Sequence, residues 1–145
     1  MPTIKTVTVN AKNLEGWQIE AKAHDHVMRI DQPVDLRGTD TGPTPLEYLF
    51  AALAGCIITT GKIVAFQQKL PYRGMQVEIS GDLDTDYLMG REGAERAGFT
   101  EIRVTTTIDG ELTPEEKQRF LQDIDKRCPV SDNLINTSHV VFKAR

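Results

Sequence analysis

The sequence has few of the features that mark cofactor-binding proteins. It contains only two cysteines among 145 residues, and because Cys56 and Cys128 stand 72 positions apart they form no CxxC pair. This spacing excludes a thioredoxin-like motif and a four-ligand zinc site of ordinary spacing. Neither a GxGxxG nor a P-loop sequence occurs, so no motif supports a nucleotide cofactor. We therefore expect neither a cofactor nor a bound metal.

Positive charge and long apolar runs are also scarce. The 17 Lys and Arg residues are outnumbered by 21 Asp and Glu residues, which disfavours a nucleic acid partner. The longest apolar run, Tyr48–Ile58, is shorter than the ~20 residues that a membrane crossing needs. The first twelve residues lack the charged and apolar parts of a signal peptide. We expect a cytoplasmic protein with reduced thiols and no membrane association.

The amino-acid composition of the chain is that of an ordinary globular protein. Hydrophobic residues make up 39% of the sequence and charged residues 26%. A chain of this length can bury a core without disulfides, so residues 1–145 are expected to form a single domain.

The first part of the sequence predicts β-strands. Polar and apolar residues alternate over 3–10 and 17–23, and the intervening Lys12–Gly16 contains the Asn and Gly that favour a hairpin turn. A third strand is predicted over His26–Asp31. The following Gln32–Pro43 is rich in Pro, Gly and Asp, which is typical of a surface loop.

A long helix is predicted from Pro45 to about Leu70. Thr44 can act as N-cap, and Glu47 three residues later completes a capping box. The first half of this helix is apolar on nearly every side, so other protein must enclose it. A second copy of the chain is the natural source of that cover.

The second half of the chain repeats the mixture of strands and helices. Strands are predicted over Met75–Leu83 and Phe99–Ile108, around a Gly-rich excursion at Gly90–Gly98 that we expect to be mobile. Further predicted elements are a helix capped by Thr113 and closed by Lys126 and Arg127, a short helix starting at Cys128-Pro129, and a last strand, Ser138–Ala144. This order of elements predicts an α+β fold.

The two cysteines are the candidate reactive groups, and each also has a purely structural interpretation. Cys56 can simply pack inside its helix. A thiolate there would need a nearby cation, for which Arg29 and Arg37 are candidates and Arg37 is preferred. Cys128 is expected at a helix N-terminus, where free N–H groups would lower its pKa, although an ordinary loop thiol is the alternative.

The residues themselves resemble the OsmC/Ohr family, named for osmotically inducible protein C and organic hydroperoxide resistance protein. The resemblance rests on Gly42-Pro43-Thr44-Pro45 running into Leu49–Cys56, together with Cys128-Pro129-Val130-Ser131. It implies an α+β intertwined homodimer in which two long central helices are wrapped by antiparallel sheets from both subunits. It also implies an enzyme that reduces organic hydroperoxides, with Cys56 becoming a sulfenic acid. Cys128 would then form a disulfide with it, and a dithiol reductant, lipoyl-type in the better-known members, would reopen the bridge.

Two features depart from the family pattern and resemble the divergent OsmC-like branch. The family's arginine usually lies near the first hairpin, whereas Lys12–Gly16 contains none. In the characterised peroxidases a glutamate that pairs with an arginine directly follows the motif proline, whereas here that position is Leu46 and Glu47 comes one residue later. Glu47 and Arg37 therefore join Cys56 and Cys128 as candidate catalytic residues, and Glu47 has the alternative role of a helix cap. A protein that binds a small apolar ligand without turnover, or a redox sensor, remains an alternative function on the same fold.

Overall fold

The structure, a computed structural model, describes residues 1–93 and 95–145. Contacts within the chain divide it into two compact units, Met1–Leu49 and Phe50–Arg145. The single domain expected from the length stays a prediction. Ala94, which falls inside the predicted Gly-rich excursion, lies outside the described residues.

The first unit contains a three-stranded antiparallel sheet. Strands β1 (Asn10–Asn13), β2 (Ile19–Ala23) and β3 (His26–Ile30) are hydrogen-bonded in the order β1-β2-β3. The turn between β1 and β2 is closed by a hydrogen bond that the Leu14 N–H donates to the Gln18 carbonyl, with Gly16 at a φ of 61°. The hairpin and the third strand are thus present, close to their expected places.

The strand predicted over residues 3–10 is wrong. Residues 1–9 form no strand and are exposed, and the first strand begins only at Asn10. Alternation of polar and apolar residues shows that a segment can form a strand, but a strand also needs a neighbouring edge to bond with.

The loop between β3 and the long helix is organised around Asp31, whose side chain is 1% exposed. Its carboxylate accepts hydrogen bonds from the backbone N–H and hydroxyl of both Thr39 and Thr41, and from the N–H of Gln32. These donors, with the Thr39 hydroxyl contributing most, hold the pKa of Asp31 well below its ordinary value. The loop also contains a short 3₁₀-helix, Val34–Leu36.

The long helix is α1 (Pro45–Gln68), as the capping residues predicted. The Glu47 N–H donates to the Thr44 hydroxyl, and the Thr44 N–H donates to the Glu47 carboxylate, both at 3.3 Å. This reciprocal pair satisfies two N–H groups that the first helical turn leaves free.

The second unit packs the rest of α1 against a two-stranded antiparallel sheet and two helices. The remaining elements are β4 (Tyr72–Asp82), β5 (Glu101–Gly110), α2 (Pro114–Arg127) and α3 (Pro129–Ile135). The core combines α1 residues, of which Val64 is fully buried, with Phe120 and Ile124 of α2 and with Cys128. Gly61 allows this approach, since a Cβ there would lie 2.9 Å from Met75 Cε and 3.2 Å from Ile124 Cδ1.

Helix α1 is a core helix of this unit. By length and composition alone its 24 residues could cross a membrane. Six of them, Leu53, Ile57, Thr60, Gly61, Val64 and Ala65, are nevertheless buried within the chain itself. Several others on the same helix remain exposed, including Ile63 at 46% and Phe66 at 86%.

The last predicted strand, Ser138–Ala144, is also wrong. Residues 137–145 contain no strand, and the side chain of Phe142 is 92% exposed. The physical reason is the same as at the N-terminus, because the segment has no strand partner among the described residues. The fold class, α+β with antiparallel sheets, is confirmed.

Candidate thiol site

The structure brings the two cysteines together. Cys56 lies on α1 at the edge of the core, and Cys128 lies at the junction of α2 and α3, with its side chain fully buried. Cys56 packs against the buried core cluster that contains Cys128, and both cysteines are in the free, unbridged form. Residues 72 positions apart in sequence therefore become neighbours because α2 packs its end against α1.

Cys128 lies at a helix N-terminus, as predicted, but its pKa shifts in the direction opposite to the one expected. It is the N-cap of α3, and its sulfur accepts a hydrogen bond from the Ser131 N–H at 3.5 Å. The expectation that the helix N-terminus would lower its pKa is wrong. Burial raises the pKa of Cys128, the neighbouring Cys56 thiol raises it further, and these effects exceed the lowering by the N–H groups of Ser131 and Val130. The surroundings of Cys128 therefore disfavour its thiolate.

A second polar contact fixes the same corner. The Ser131 hydroxyl donates to Asp125 Oδ1 at 2.6 Å, which ties α3 to the last turn of α2. Ser131 therefore has two partners, the Asp125 carboxylate through its side chain and the Cys128 sulfur through its backbone N–H. The sequence singled out the Cys128-Pro129-Val130-Ser131 motif but gave no indication of the Asp125 contact.

Cys56 faces an open pocket with a volume of about 410 Å³. The walls are mostly apolar and come from α1 and from the α2–α3 junction. They are formed by Gly55, Cys56, Thr59, Thr60, Ile63, Arg127 and Pro129. A pocket of this size can hold a small organic molecule beside the sulfur.

Two residues of this pocket were missed as site residues by reasoning from the sequence. Thr60 lies one helical turn after Cys56, and its Oγ1 is 4.0 Å from the Cys56 sulfur. The spacing of four residues on a helix could have identified this contact. Arg127 was interpreted only as a base that closes α2, although its position directly before Cys128 placed a cation beside the second thiol.

The other candidate residues lie in the first unit. Glu47 is engaged in the capping box with Thr44. Arg29 donates through Nη1 to Gln18 Oε1 at 3.2 Å, while Arg37 ends the 3₁₀-helix with an exposed side chain and a φ of 69°. The roles proposed for Glu47 and Arg37 at the thiol stay predictions. Among residues 1–93 and 95–145, no group of three or more His, Cys, Asp or Glu residues is placed to hold a metal ion.

Comparison with known proteins agrees with this arrangement of elements. The family model of OsmC-like proteins matches residues 38–143, which include both cysteines. The chain belongs to the OsmC-like protein family. No curated protein matches the sequence of this OsmC-like chain.

Solved structures share the fold along almost the whole chain. An OsmC-like protein from Mycoplasma pneumoniae is 22% identical, with a TM-score of 0.81 over 93% of this chain and 91% of that protein. An organic hydroperoxide resistance protein from Elizabethkingia anophelis, crystallised with thiocyanate bound, is 21% identical, with a TM-score of 0.71 over 94% and 93% of the two chains. One from Vibrio cholerae, with captopril in one active site, is 16% identical, with a TM-score of 0.69 over 94% and 89%.

Proposed function

We propose that this OsmC-like chain is a thiol-dependent peroxidase that reduces organic hydroperoxides. The observation that carries the proposal is the pair of neighbouring free thiols, Cys56 and Cys128, of which Cys56 lines a mostly apolar pocket. The family assignment supports a peroxide-related redox role, as do fold relatives from Elizabethkingia anophelis and Vibrio cholerae that are described as organic hydroperoxide resistance proteins.

Cys56 is the attacking residue in this proposal. Its thiolate attacks the terminal oxygen of the hydroperoxide, so that a sulfur–oxygen bond forms as the oxygen–oxygen bond breaks. Sulfur is oxidised to a sulfenic acid, and the departing alkoxide takes up a proton to leave as an alcohol. The apolar walls of the pocket favour an organic substrate, because each buried methylene stabilises binding by about 0.8 kcal/mol.

Cys128 is the resolving residue. Burial raises the pKa of Cys128 and disfavours its thiolate, while Cys56 is the cysteine that lines the pocket, so the first attack falls to Cys56. Its sulfur then attacks the sulfenic acid sulfur, a disulfide forms, and the hydroxyl group leaves with a proton as water. A dithiol reductant of the lipoyl type supplies two electrons by thiol–disulfide exchange and returns both cysteines to thiols.

A homodimer completes the proposed enzyme. Phe66 on α1 is 86% exposed and Phe142 in the C-terminal segment is 92% exposed. Large apolar side chains are seldom so exposed in a folded monomer. A second copy would cover the exposed face of α1. Residues 3–9 and 138–144, which pair with no strand in the described part of this chain, could add strands to its sheet edges. We place this dimer in the cytoplasm, where thiols stay reduced.

The test is turnover of cumene hydroperoxide with dihydrolipoamide as reductant. The wild type should consume peroxide catalytically, Cys56→Ser should be inactive, and Cys128→Ser should stop after one turnover at the sulfenic acid, which dimedone traps. A wild type that ignores cumene, tert-butyl and fatty acid hydroperoxides alike would refute the proposal.

A binding or redox-sensing function on the same fold is the second candidate. It is favoured by Leu46 in the position of the family glutamate and by the engagement of Glu47 as a helix cap. Native mass spectrometry that finds a copurified apolar ligand, in a protein without peroxide turnover, would favour the binding function over the peroxidase.

A further inference from the structure

A cavity of about 220 Å³ lies where α1, β5, α2 and α3 meet. All four elements contribute to its walls, and neither cysteine lines it. It shares no lining residue with the pocket of Cys56, so the two are separate spaces. The proposed peroxidase chemistry makes no use of this cavity.

The walls of the cavity are mainly aliphatic. They are formed by Leu53, Ile57, Val104, Leu121 and Ile124. Leu53, Ile57 and Ile124 are buried within the chain itself, so the packing of the core holds these walls in place. Apolar cavities of about 150 Å³ accommodate benzene in other proteins. This cavity therefore has room for a single ring with a short polar arm.

Three polar side chains also line the cavity, namely Thr106, Asp125 and Ser131. The Ser131 hydroxyl already donates to Asp125 Oδ1. Among residues 1–93 and 95–145, no hydrogen bond occupies Asp125 Oδ2 or the Thr106 hydroxyl, and no ion pair includes Asp125. An anionic oxygen and a hydroxyl group are thus available to a molecule that enters the cavity.

The polar and apolar parts of the cavity are arranged in order of depth. The Asp125 side chain is exposed and Val104 is 42% exposed, whereas Ile57 and Ile124 are buried. The carboxylate therefore lies at the entrance and the aliphatic walls lie behind it. This arrangement suits a molecule with one charged end and one hydrocarbon end.

The charge at the entrance selects the charge of the molecule. An ammonium group carries three N–H donors and no acceptor, so it can bond to both the Asp125 carboxylate and the Thr106 hydroxyl. A carboxylate or phosphate would instead be repelled by Asp125. The net charge of −4 on the whole chain also favours the approach of a cation.

We infer that this cavity is a binding site for a small apolar monoamine, meaning a primary ammonium ion on a single ring or a short hydrocarbon chain. The ammonium group binds Asp125 at the entrance, and the hydrocarbon part lies against Ile57 and Ile124, where its burial stabilises the complex. The site requires neither thiol, so it goes beyond the proposed peroxidase function and does not rest on it.

The test is an NMR titration of the reduced, methyl-labelled protein with benzylamine, benzyl alcohol or benzoate at pH 7. Benzylamine should bind with a Kd about tenfold lower than that of benzyl alcohol, because a charge-assisted hydrogen bond replaces a neutral one. Benzoate should not bind. The methyl resonances of Ile57 and Val104 should shift with benzylamine, while those of Ile63, in the pocket of Cys56, should stay unchanged.

Two variants and a matched control identify the groups responsible. Asp125→Asn keeps the shape and an acceptor for Ser131 but removes the charge, so the Kd of benzylamine should rise about tenfold. Val104→Phe fills the exposed end of the cavity and should weaken binding of both benzylamine and benzyl alcohol. Asp123→Asn removes the same charge two positions earlier on α2, from a residue that does not line the cavity, and should keep the wild-type Kd.

Four results would overturn the inference. They are a lack of benzylamine binding, equal Kd values for benzylamine and benzyl alcohol, full benzylamine affinity in Asp125→Asn, and methyl shifts centred on Ile63. The titration contains no peroxide, so none of these results bears on the peroxidase proposal.

Discussion

Ser131 donates its hydroxyl to the carboxylate of Asp125 at 2.6 Å, across the corner where α2 gives way to α3. Because the Ser131 N–H also bonds to the sulfur of Cys128, the carboxylate helps to fix the position of the buried thiol. The corner is therefore the structural basis for placing Cys128 beside Cys56.

Loss of this contact should slow disulfide formation. Ser131→Ala removes the donor from a buried position and should lower the free energy of unfolding by about 1 kcal/mol. It should also lower the rate at which the Cys56 sulfenic acid converts to the disulfide, while its rate of formation changes little. Stopped-flow measurement of both phases checks this expectation.

Ser138→Ala is the matched control for that variant. The Ser138 hydroxyl also makes a 2.6 Å hydrogen bond, to Asn133 Oδ1, but at an exposed position away from Cys128. It should leave the disulfide-forming phase unchanged. Equal rates of that phase in Ser131→Ala and wild type would show that the corner does not position the thiol.

Asp31 should make the stability of the first unit depend on pH. Its pKa lies well below the ordinary 3.8 in the folded chain, so the folded state favours the carboxylate. The stabilisation is fully present above the unfolded pKa and is lost as pH falls from there through the folded pKa. Urea unfolding followed by Trp17 fluorescence should therefore show Asp31→Asn to be less stable than wild type at pH 7, with a smaller difference at pH 3.

Asp35→Asn provides the comparison for that measurement. Asp35 lies in the neighbouring 3₁₀-helix with an exposed side chain, and none of the side-chain hydrogen bonds of the described residues involves it. It should stay close to wild type at both pH values. A stability difference for Asp31→Asn that does not change with pH would contradict the assignment.

Phe66 should be essential to the proposed homodimer. A charged residue at so exposed a position would be nearly neutral in a monomer, but it would be buried without a partner in a dimer that covers α1. Phe66→Glu should therefore yield monomers in sedimentation velocity. Leu88→Glu, at a loop position that is 73% exposed, should remain dimeric. A wild-type monomer, or a dimeric Phe66→Glu protein, would remove the proposed interface.

The helices could be predicted from the sequence because their signals are local. Thr44 with Glu47, and Thr113 with Glu116, form capping boxes whose residues lie three positions apart, and Pro129 follows an N-cap directly. The terminal strands could not be predicted in the same way. Residues 3–9 and Ser138–Ala144 were predicted as strand, but pairing depends on an edge elsewhere, and within this chain they find none among the described residues.

Only part of the candidate site could be predicted from the sequence. Cys56 and Cys128 were candidates as the two cysteines of the chain, but their pairing was expected only from the family resemblance, since no local pattern brings together residues so far apart. The raised pKa of Cys128 could not be foreseen, because burial depends on how α1 and α2 pack. Arg127 was not recognised as a pocket residue for the same reason. Whether an arginine in the last turn of a helix lines a pocket depends on how the helices pack.

The proposed redox cycle is tested most directly by oxidation of the reduced protein with one equivalent of cumene hydroperoxide. After alkylation and digestion, peptide mass spectrometry should find Cys56 and Cys128 joined in a disulfide, with both thiols lost together. Oxidation that stops at Cys56 with Cys128 still free, or that leaves both thiols unreacted, would contradict the account.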